Sequence, residues 1–287
     1  MDKNNLFILK KYDDINHLPV FKSLDDNNYT YEQIEEGVNI PVSKINLWQD
    51  FFEMASNELI NQKSLIFRGH QSPRWTLTPT LKRTHKFLSK EQTNEIIKTF
   101  KSALKNIEHH DLKQLNTFTD NQLWALGRHY GLPTPLLDWT NNPFIALYFA
   151  YEDRANLFPQ HALYIMDLEK ISGDDLIYFN NKPHQNERER KQEGCYIRLK
   201  QHNNIEEIIS KDKNAHSYFR KIYIKKNAPQ KCLDTLEEQH QISKLNLYPN
   251  SIEGAVEYCK TQIPSPYEGG GTLLKIAQKV IDPNTQH

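Results

Sequence analysis

Cysteine is scarce in these 287 residues. Cys195, Cys232 and Cys259 are odd in number and widely separated, so no disulfide framework is expected and a reducing compartment fits. Neither charge sign dominates: Lys plus Arg and Asp plus Glu are each 36, and the pI is about 7.2, leaving no global field to draw in nucleic acid or anionic lipid. Long apolar runs are missing too. A hydrophobic content of 38% with a mean hydropathy of −0.74 excludes an integral membrane protein. Met1 to Val20 carries both charge signs and lacks the apolar stretch of a secretory signal, so a cytoplasmic protein with no membrane partner is expected. The 12 histidines never fall at His-x-x-x-His spacing and there is no Cys-x-x-Cys, so no metal is expected. Neither a Gly-x-Gly-x-x-Gly nor a Walker-type loop appears, and Glu268 to Gly271 reads as a flexible joint. Lys221, Lys225, Lys226 and Lys231 read as a solvated strand end.

Two dense blocks stand out against this background. Between Arg128 and Ala150 the chain reads RHYGLPTPLLDWTNNPFIALYFA. Gly131 suits the left-handed conformation that ends a helix, and Pro133 and Pro135 forbid helix around them, so Leu132 to Pro135 should be an extended or turning connector. Asn141 or Asn142 then caps a new helix with Pro143 in its first turn. The expectation is helix, rigid elbow, helix, with Thr134, Asp138 and Thr140 clustered at the elbow. Upstream, Leu65, Ile66 and Phe67 read as a short strand delivering Arg68 to a loop, with Gly69 admitting another backbone or a ligand and His70 solvated. Arginine at the end of a buried strand is costly unless its guanidinium meets an anion or a carbonyl. Either an internal carboxylate such as Asp138 satisfies it, or a ligand phosphate does.

Along the chain, Met1 to Asn39 reads as a loosely structured lead-in with a strand or two, and Ser43 is expected to open a helix through Leu59. Ser89 with Gln92 and Thr119 with Gln122 form capping boxes for two more helices, the first placing Ile96, Phe100, Leu104 and Ile107 on one face. Runs at 161–168, 176–179, 195–199 and 219–224 read as strands, with helices at 205–210, 231–242 and 251–260 between them. Helices first and strands later predict an α+β fold with a mainly helical N-terminal half and a mixed, mostly antiparallel sheet. The expected division is a lead-in over 1–42, a main domain over 43–262, and a Gly-containing joint with a short amphipathic segment over 263–287.

Phe67-Arg68-Gly69, Trp75, Pro79-Thr80-Leu81, His129 to Thr134, Leu136 to Thr140 and Ala146 to Ala150 together resemble the FRG domain family, which is named for that first tripeptide. Asn186, Arg188, Gln192, Gly194 and Tyr196, then Leu247 to Asn250 with Gly254, continue the resemblance in the same order, so that it runs from about Leu47 to about Lys260. Arg128 departs from the glutamine expected there, Pro135 from an arginine, and Asn250 and Glu253 from aspartates. Arg128 is a candidate substitute for the missing arginine.

A weaker similarity is to NAD-dependent ADP-ribosyltransferases of the arginine, serine, glutamate type. It implies a split, ADP-ribosyltransferase-like sheet and NAD as substrate, in a bacterial toxin or antiphage-defence setting. On that resemblance Arg68 binds the dinucleotide phosphates or the adjacent ribose through its planar fork, beside Gly69 and a rim residue His129. Thr134 and Thr140 line the floor with Asp138, Tyr130 or Trp139 stacks on nicotinamide, and Gln192 or Glu193 polarises the ribose. Cleavage through an oxocarbenium-like ribose suits such groups. Adjacent strand residues face opposite ways, so only one of Gln192 and Glu193 is expected to enter. From the residues alone, Trp139, Tyr148 and Phe149 read as core rather than ligand-stacking residues, and Glu187 to Glu193 as a wet surface turn. Two other classes remain open: a non-catalytic nucleotide- or phosphate-binding module, and a hydrolase recruiting a divalent ion with Asp138, Glu152 and Asp153. The acceptor, whether protein, nucleic acid, nucleotide or water, is not read from the residues, nor is the oligomeric state.

Overall fold

The computed structural model describes residues 6–7, 14–85, 87–105, 107, 115–153, 158–171, 174–181, 186–200 and 203–249. Nine strands lie in them: β1 (Leu6–Phe7), β2 (Thr30–Glu35), β3 (Val38–Ile45), β4 (Leu65–His70), β5 (Leu136–Thr140), β6 (Gln160–Asp167), β7 (Leu176–Phe179), β8 (Gly194–Leu199) and β9 (Phe219–Lys225). They form one mixed sheet in the order β1-β2-β3-β9-β6-β4-β5-β8-β7. Only β1 with β2 and β3 with β9 pair in parallel, so the sheet is mostly antiparallel and the fold is α+β.

Side-chain alternation builds a core on each face of this sheet. Leu65 and Phe67 of β4, Leu163 and Ile165 of β6, and Ile222 and Ile224 of β9 pack against helices α1 (Trp48–Met54), α5 (Pro143–Tyr151) and α8 (Pro229–His240). Ile66, Tyr164, Met166 and Tyr223 turn the other way, toward α7 (Ile205–Ile209). A third cluster joins α2 (Thr80–Thr84), α3 (Lys90–Leu104) and α4 (Asp120–His129) to Leu136 and Tyr196. The short helices α6 (Glu187–Lys191) and α9 (Lys244–Leu247) complete the set among the described residues. No helix among those residues is long and apolar enough to cross a membrane.

Both capping boxes form. Gln92 N–H donates to Ser89 Oγ at 3.2 Å and Ser89 N–H to Gln92 Oε1 at 2.8 Å, and Thr119 with Gln122 repeats the pattern. Gly131 stops α4 with φ at +88°, and Asn142 rather than Asn141 caps α5, accepting from Phe144 N–H at 2.9 Å. Ile96, Phe100 and Leu104 of α3 pack against the third cluster together with the buried Ile97, while Ile107 lies beyond the helix and is 53% exposed.

Several expectations are corrected. Ser43 does not open a helix. It sits in β3 opposite Ile222, and its hydroxyl donates to the Asn28 carbonyl, so the helix starts at Trp48. The β2–β3 hairpin belongs to the main sheet and residue 42 lies inside β3, so the N-terminal half supplies strands β1 to β5 as well as its helices. The elbow contains a strand, β5, fully paired with β8. Lys221 is not solvated: it is buried against Glu32, with Nζ 2.8 Å from Oε2. The expected helix at 251–260, the C-terminal joint, Cys259, Asn250, Glu253 and Gly254 lie outside the described residues.

Candidate functional site

Strand β4 pairs with β6 along its whole length but meets β5 at a single residue pair, Phe67 with Thr140. Beyond that pair the two strands part, and a cleft of about 490 Å³ opens at the seam. Arg68 bridges the gap. Its Nε donates to His70 Nε2 at 2.8 Å and its Nη1 to the backbone carbonyl of Asp138. Arginine has no acceptor, so His70 Nε2 must be the bare nitrogen and the proton sits on Nδ1, which donates to the Trp75 carbonyl at 3.2 Å. Burial, reinforced by the charge of Arg68, holds His70 well below its ordinary pKa and therefore neutral. His70 is 5% exposed, not the solvated loop residue expected. Burial also lowers Arg68, to about 10, which leaves it fully cationic at neutral pH.

The Asp138 carboxylate is not the partner of Arg68. It takes a two-pronged contact from Arg128, Nε to Oδ1 and Nη2 to Oδ2, while Arg128 Nη1 reaches Thr80 Oγ1 at 3.3 Å. Burial alone would raise the Asp138 carboxyl, but Arg128, with help from Arg68 and Arg188, holds it below the ordinary carboxylate value. The Asp138 side chain keeps 47% of its surface because it faces the cleft.

Gly69 explains how the floor closes. A Cβ built there would lie 1.9 Å from the Ala146 carbonyl oxygen and 2.7 Å from Ala150 N, so the close neighbour is the backbone of α5. On the far wall, Thr140 Oγ1 donates to the Gln192 carbonyl at 2.8 Å, tying β5 to the turn after α6. Gln192 lines the cleft and donates from Nε2 to the Leu247 carbonyl at 3.2 Å. Glu193 does not line it: it has a φ of +45°, is exposed, and accepts from Asn142 Nδ2 at 2.7 Å. Gln192 alone of the pair lines the cleft, and the turn after α6, not alternation along a strand, sets their different directions.

Of the other expected site residues, His129 lines the rim and Trp139 lies against the cleft but only 3% exposed, within the core. Tyr130 is 58% exposed at the end of α4, its ring edge-on to His129, and does not line the cleft. Thr134 is fully buried, with Oγ1 accepting from Leu136 N–H and its carbonyl from Leu81 N–H, so it braces the connector.

The cleft also gathers residues absent from the expected set. Arg83 and Arg188 bring the guanidinium groups on its lining to four with Arg68 and Arg128, against the carboxylates of Asp138, Glu152 and Glu189. Arg188 lies 4.2 Å over the Tyr248 ring. Glu189, 8% exposed, accepts from the Tyr196 hydroxyl and from Asn181 Nδ2. Glu152 pairs with Lys244 at 3.1 Å, and burial still raises its carboxyl. Among the described residues no three His, Cys, Asp or Glu side chains gather in a group that could hold a metal ion. The signal for Arg188 was its place in the motif; Arg83 and Glu189 gave none, because a charged residue on a short helix reads as solvated.

Fold and site thus define an α+β protein with an arginine-rich, aromatic-walled cleft at a seam in a mixed sheet. Residues 63–157 match the FRG domain family, and the chain carries an FRG domain there. That span runs from β4 to just past α5, narrower than the resemblance read from sequence. Asn186, Arg188, Gln192 and Tyr196 fall outside it, yet Arg188, Gln192 and Tyr196 line the same cleft. No curated protein and no solved structure matches the chain.

Proposed function

We propose that this cleft binds NAD and that the chain is an NAD-consuming enzyme, an ADP-ribosyltransferase or NAD glycohydrolase, of the bacterial toxin or antiphage-defence kind. The observation that carries the reading is Arg68: a cation held by a neutral histidine and a backbone carbonyl, with Nη2 meeting no acceptor among the described residues, on a cleft of ligand size. A planar fork with donors to spare suits a pyrophosphate. Arg83 and Arg188 add positive potential, and Arg128 is already neutralised by Asp138.

In the reaction the bond between ribose C1′ and the nicotinamide nitrogen breaks, and its electron pair leaves with the neutral nicotinamide. The oxocarbenium-like carbon is captured by the acceptor's nucleophile, which loses a proton. Gln192, which lines the same cleft as Arg68, would polarise the ribose hydroxyls. The split-sheet, transferase-like reading of the fold belongs to the same proposal, supported by the parting of β4 and β5.

A second reading, a non-catalytic nucleotide- or phosphate-binding module, is favoured by one observation. Glu193 is engaged by Asn142 outside the cleft, so its neighbour Gln192 alone occupies the family-matched position. Incubating purified protein with NAD separates the two. Nicotinamide release, or label transfer to a target, supports the enzyme. Ligand-dependent thermal stabilisation without turnover supports the module, and the absence of both refutes each.

A further inference from the structure

Water reaches one of the four tryptophans. Trp48, Trp124 and Trp139 are at most 3% exposed, whereas Trp75 is 48% exposed and lines the cleft. Its backbone is fixed: the carbonyl accepts from His70 Nδ1 and from the Tyr164 hydroxyl, each at 3.2 Å, and its N–H donates to the Ser72 carbonyl at 3.3 Å. The His70 ring meets the indole edge-on, with centroids 5.9 Å apart and planes at 65°. That imidazole also receives Arg68 Nε at 2.8 Å. One buried histidine therefore holds an accessible aromatic plane and a cation in fixed relation on the same wall.

We propose that Trp75 and Arg68 together recognise the base-bearing half of a nucleotide, the indole stacking on the heterocycle while the guanidinium takes the attached phosphate. This rests on the reading of the cleft as a nucleotide site and adds its ligand class: a molecule carrying both an aromatic base and a phosphate, in preference to a sugar phosphate. Stacking on an exposed indole is rewarded because both flat surfaces leave water, and a guanidinium beside it holds the charged end without a second aromatic partner. The His70 bridge fixes both groups before any ligand arrives, so little ordering is left to binding.

The test is calorimetric titration of the full chain with AMP, nicotinamide mononucleotide and ribose 5-phosphate, alongside tryptophan emission. At least one mononucleotide is expected to quench or shift the emission and to bind about tenfold tighter than ribose 5-phosphate. Trp75→Ala should lose that advantage while keeping its melting temperature and its affinity for ribose 5-phosphate, and Trp75→Phe should recover part of it. If Trp75→Ala binds the mononucleotides as the parent does, the stacking role is overturned and the NAD reading stands. If the parent binds neither the mononucleotides nor NAD, the nucleotide reading falls with it.

Discussion

Replacing Arg68 by alanine separates a functional cation from a structural clamp. Burial pushes this guanidinium from 12.5 to about 10. At about 1.4 kcal/mol per tenfold change in proton affinity, the folded chain forfeits about 3 kcal/mol to keep the charge in place. Truncation recovers that cost but orphans His70 Nε2 and the Asp138 carbonyl. Each loss costs about 1–3 kcal/mol, at the lower end here because the cleft admits water. The two sides nearly cancel, so Arg68→Ala should unfold within about 2 kcal/mol of the parent, a shift in Tm of no more than about 8 °C. Ligand response should vanish all the same: no thermal stabilisation by NAD and no nicotinamide release. Arg68→Lys should behave alike, since one ammonium cannot serve the imidazole, the carbonyl and a phosphate with a planar fork. Thermal melts with and without NAD, paired with chromatography of the products, read both halves. A variant that keeps its NAD response, or one that loses more than about 4 kcal/mol of stability, refutes the reasoning, because Arg68 would then be chiefly a structural brace.

Gly69→Ala should cost at least about 3 kcal/mol, because the new methyl would meet the α5 backbone at 1.9 Å while β6 pins β4 from the other side; an unchanged melting temperature contradicts this. Glu206 is buried beneath Leu77, accepting its N–H with both oxygens, and burial lifts its carboxyl from 4.5 to about 7. The folded chain therefore holds a proton that the unfolded chain has released between those values, so stability falls as pH rises from about 4.5 to about 7, by roughly 3 kcal/mol from this group. Glu206→Gln should remove that slope in urea unfolding at pH 5 and pH 8, and parallel profiles would count against it. Gln241 ends α8 with φ at +57°, so Gln241→Gly should raise stability by about 1 kcal/mol; a lower melting temperature would show that its side chain matters more than its strain.

The local grammar of the chain was legible where one residue type has one physical use. Ser89 with Gln92, Thr119 with Gln122, Gly131 and Asn142 did what their chemistry dictates. Ser43 misled because serine caps helices and also sits in strands, and only pairing with β9 decides between them. Lys221 and His70 look solvated in sequence because burial of a polar side chain depends on partners that spacing does not announce, the distant Glu32 in one case and Arg68 with the Trp75 carbonyl in the other. The site followed the same rule. Arg68, Asp138, Thr140 and Gln192 reached one cleft, whereas Thr134 and Glu193 were claimed by backbone and side-chain partners that no spacing reveals. Arg128 stands out in sequence as a departure and as a candidate ligand-binding substitute, yet its guanidinium takes a two-pronged hold on Asp138, which leaves Arg68 without an internal carboxylate.

The three residues of the Phe-Arg-Gly tripeptide have separate physical roles, and the sheet register explains why they are adjacent. Phe67 makes the last shared pair between β4 and β5 while its ring enters the core, so it marks where the seam begins. At the next position the ladder has no strand to continue onto, and the Asp138 carbonyl would face the gap unpaired. A long side chain with several donors and no acceptor satisfies it and still has a nitrogen to offer, which is what Arg68 does. One residue further on, the backbone turns its face to α5 at a distance that tolerates no Cβ, so glycine is required. His70 then closes the arrangement by returning to Arg68 Nε, with its tautomer set by the Trp75 carbonyl. A lysine at 68 or an alanine at 69 would each fail for a different reason. The cation at the cleft is thus a consequence of a sheet that stops pairing at one residue.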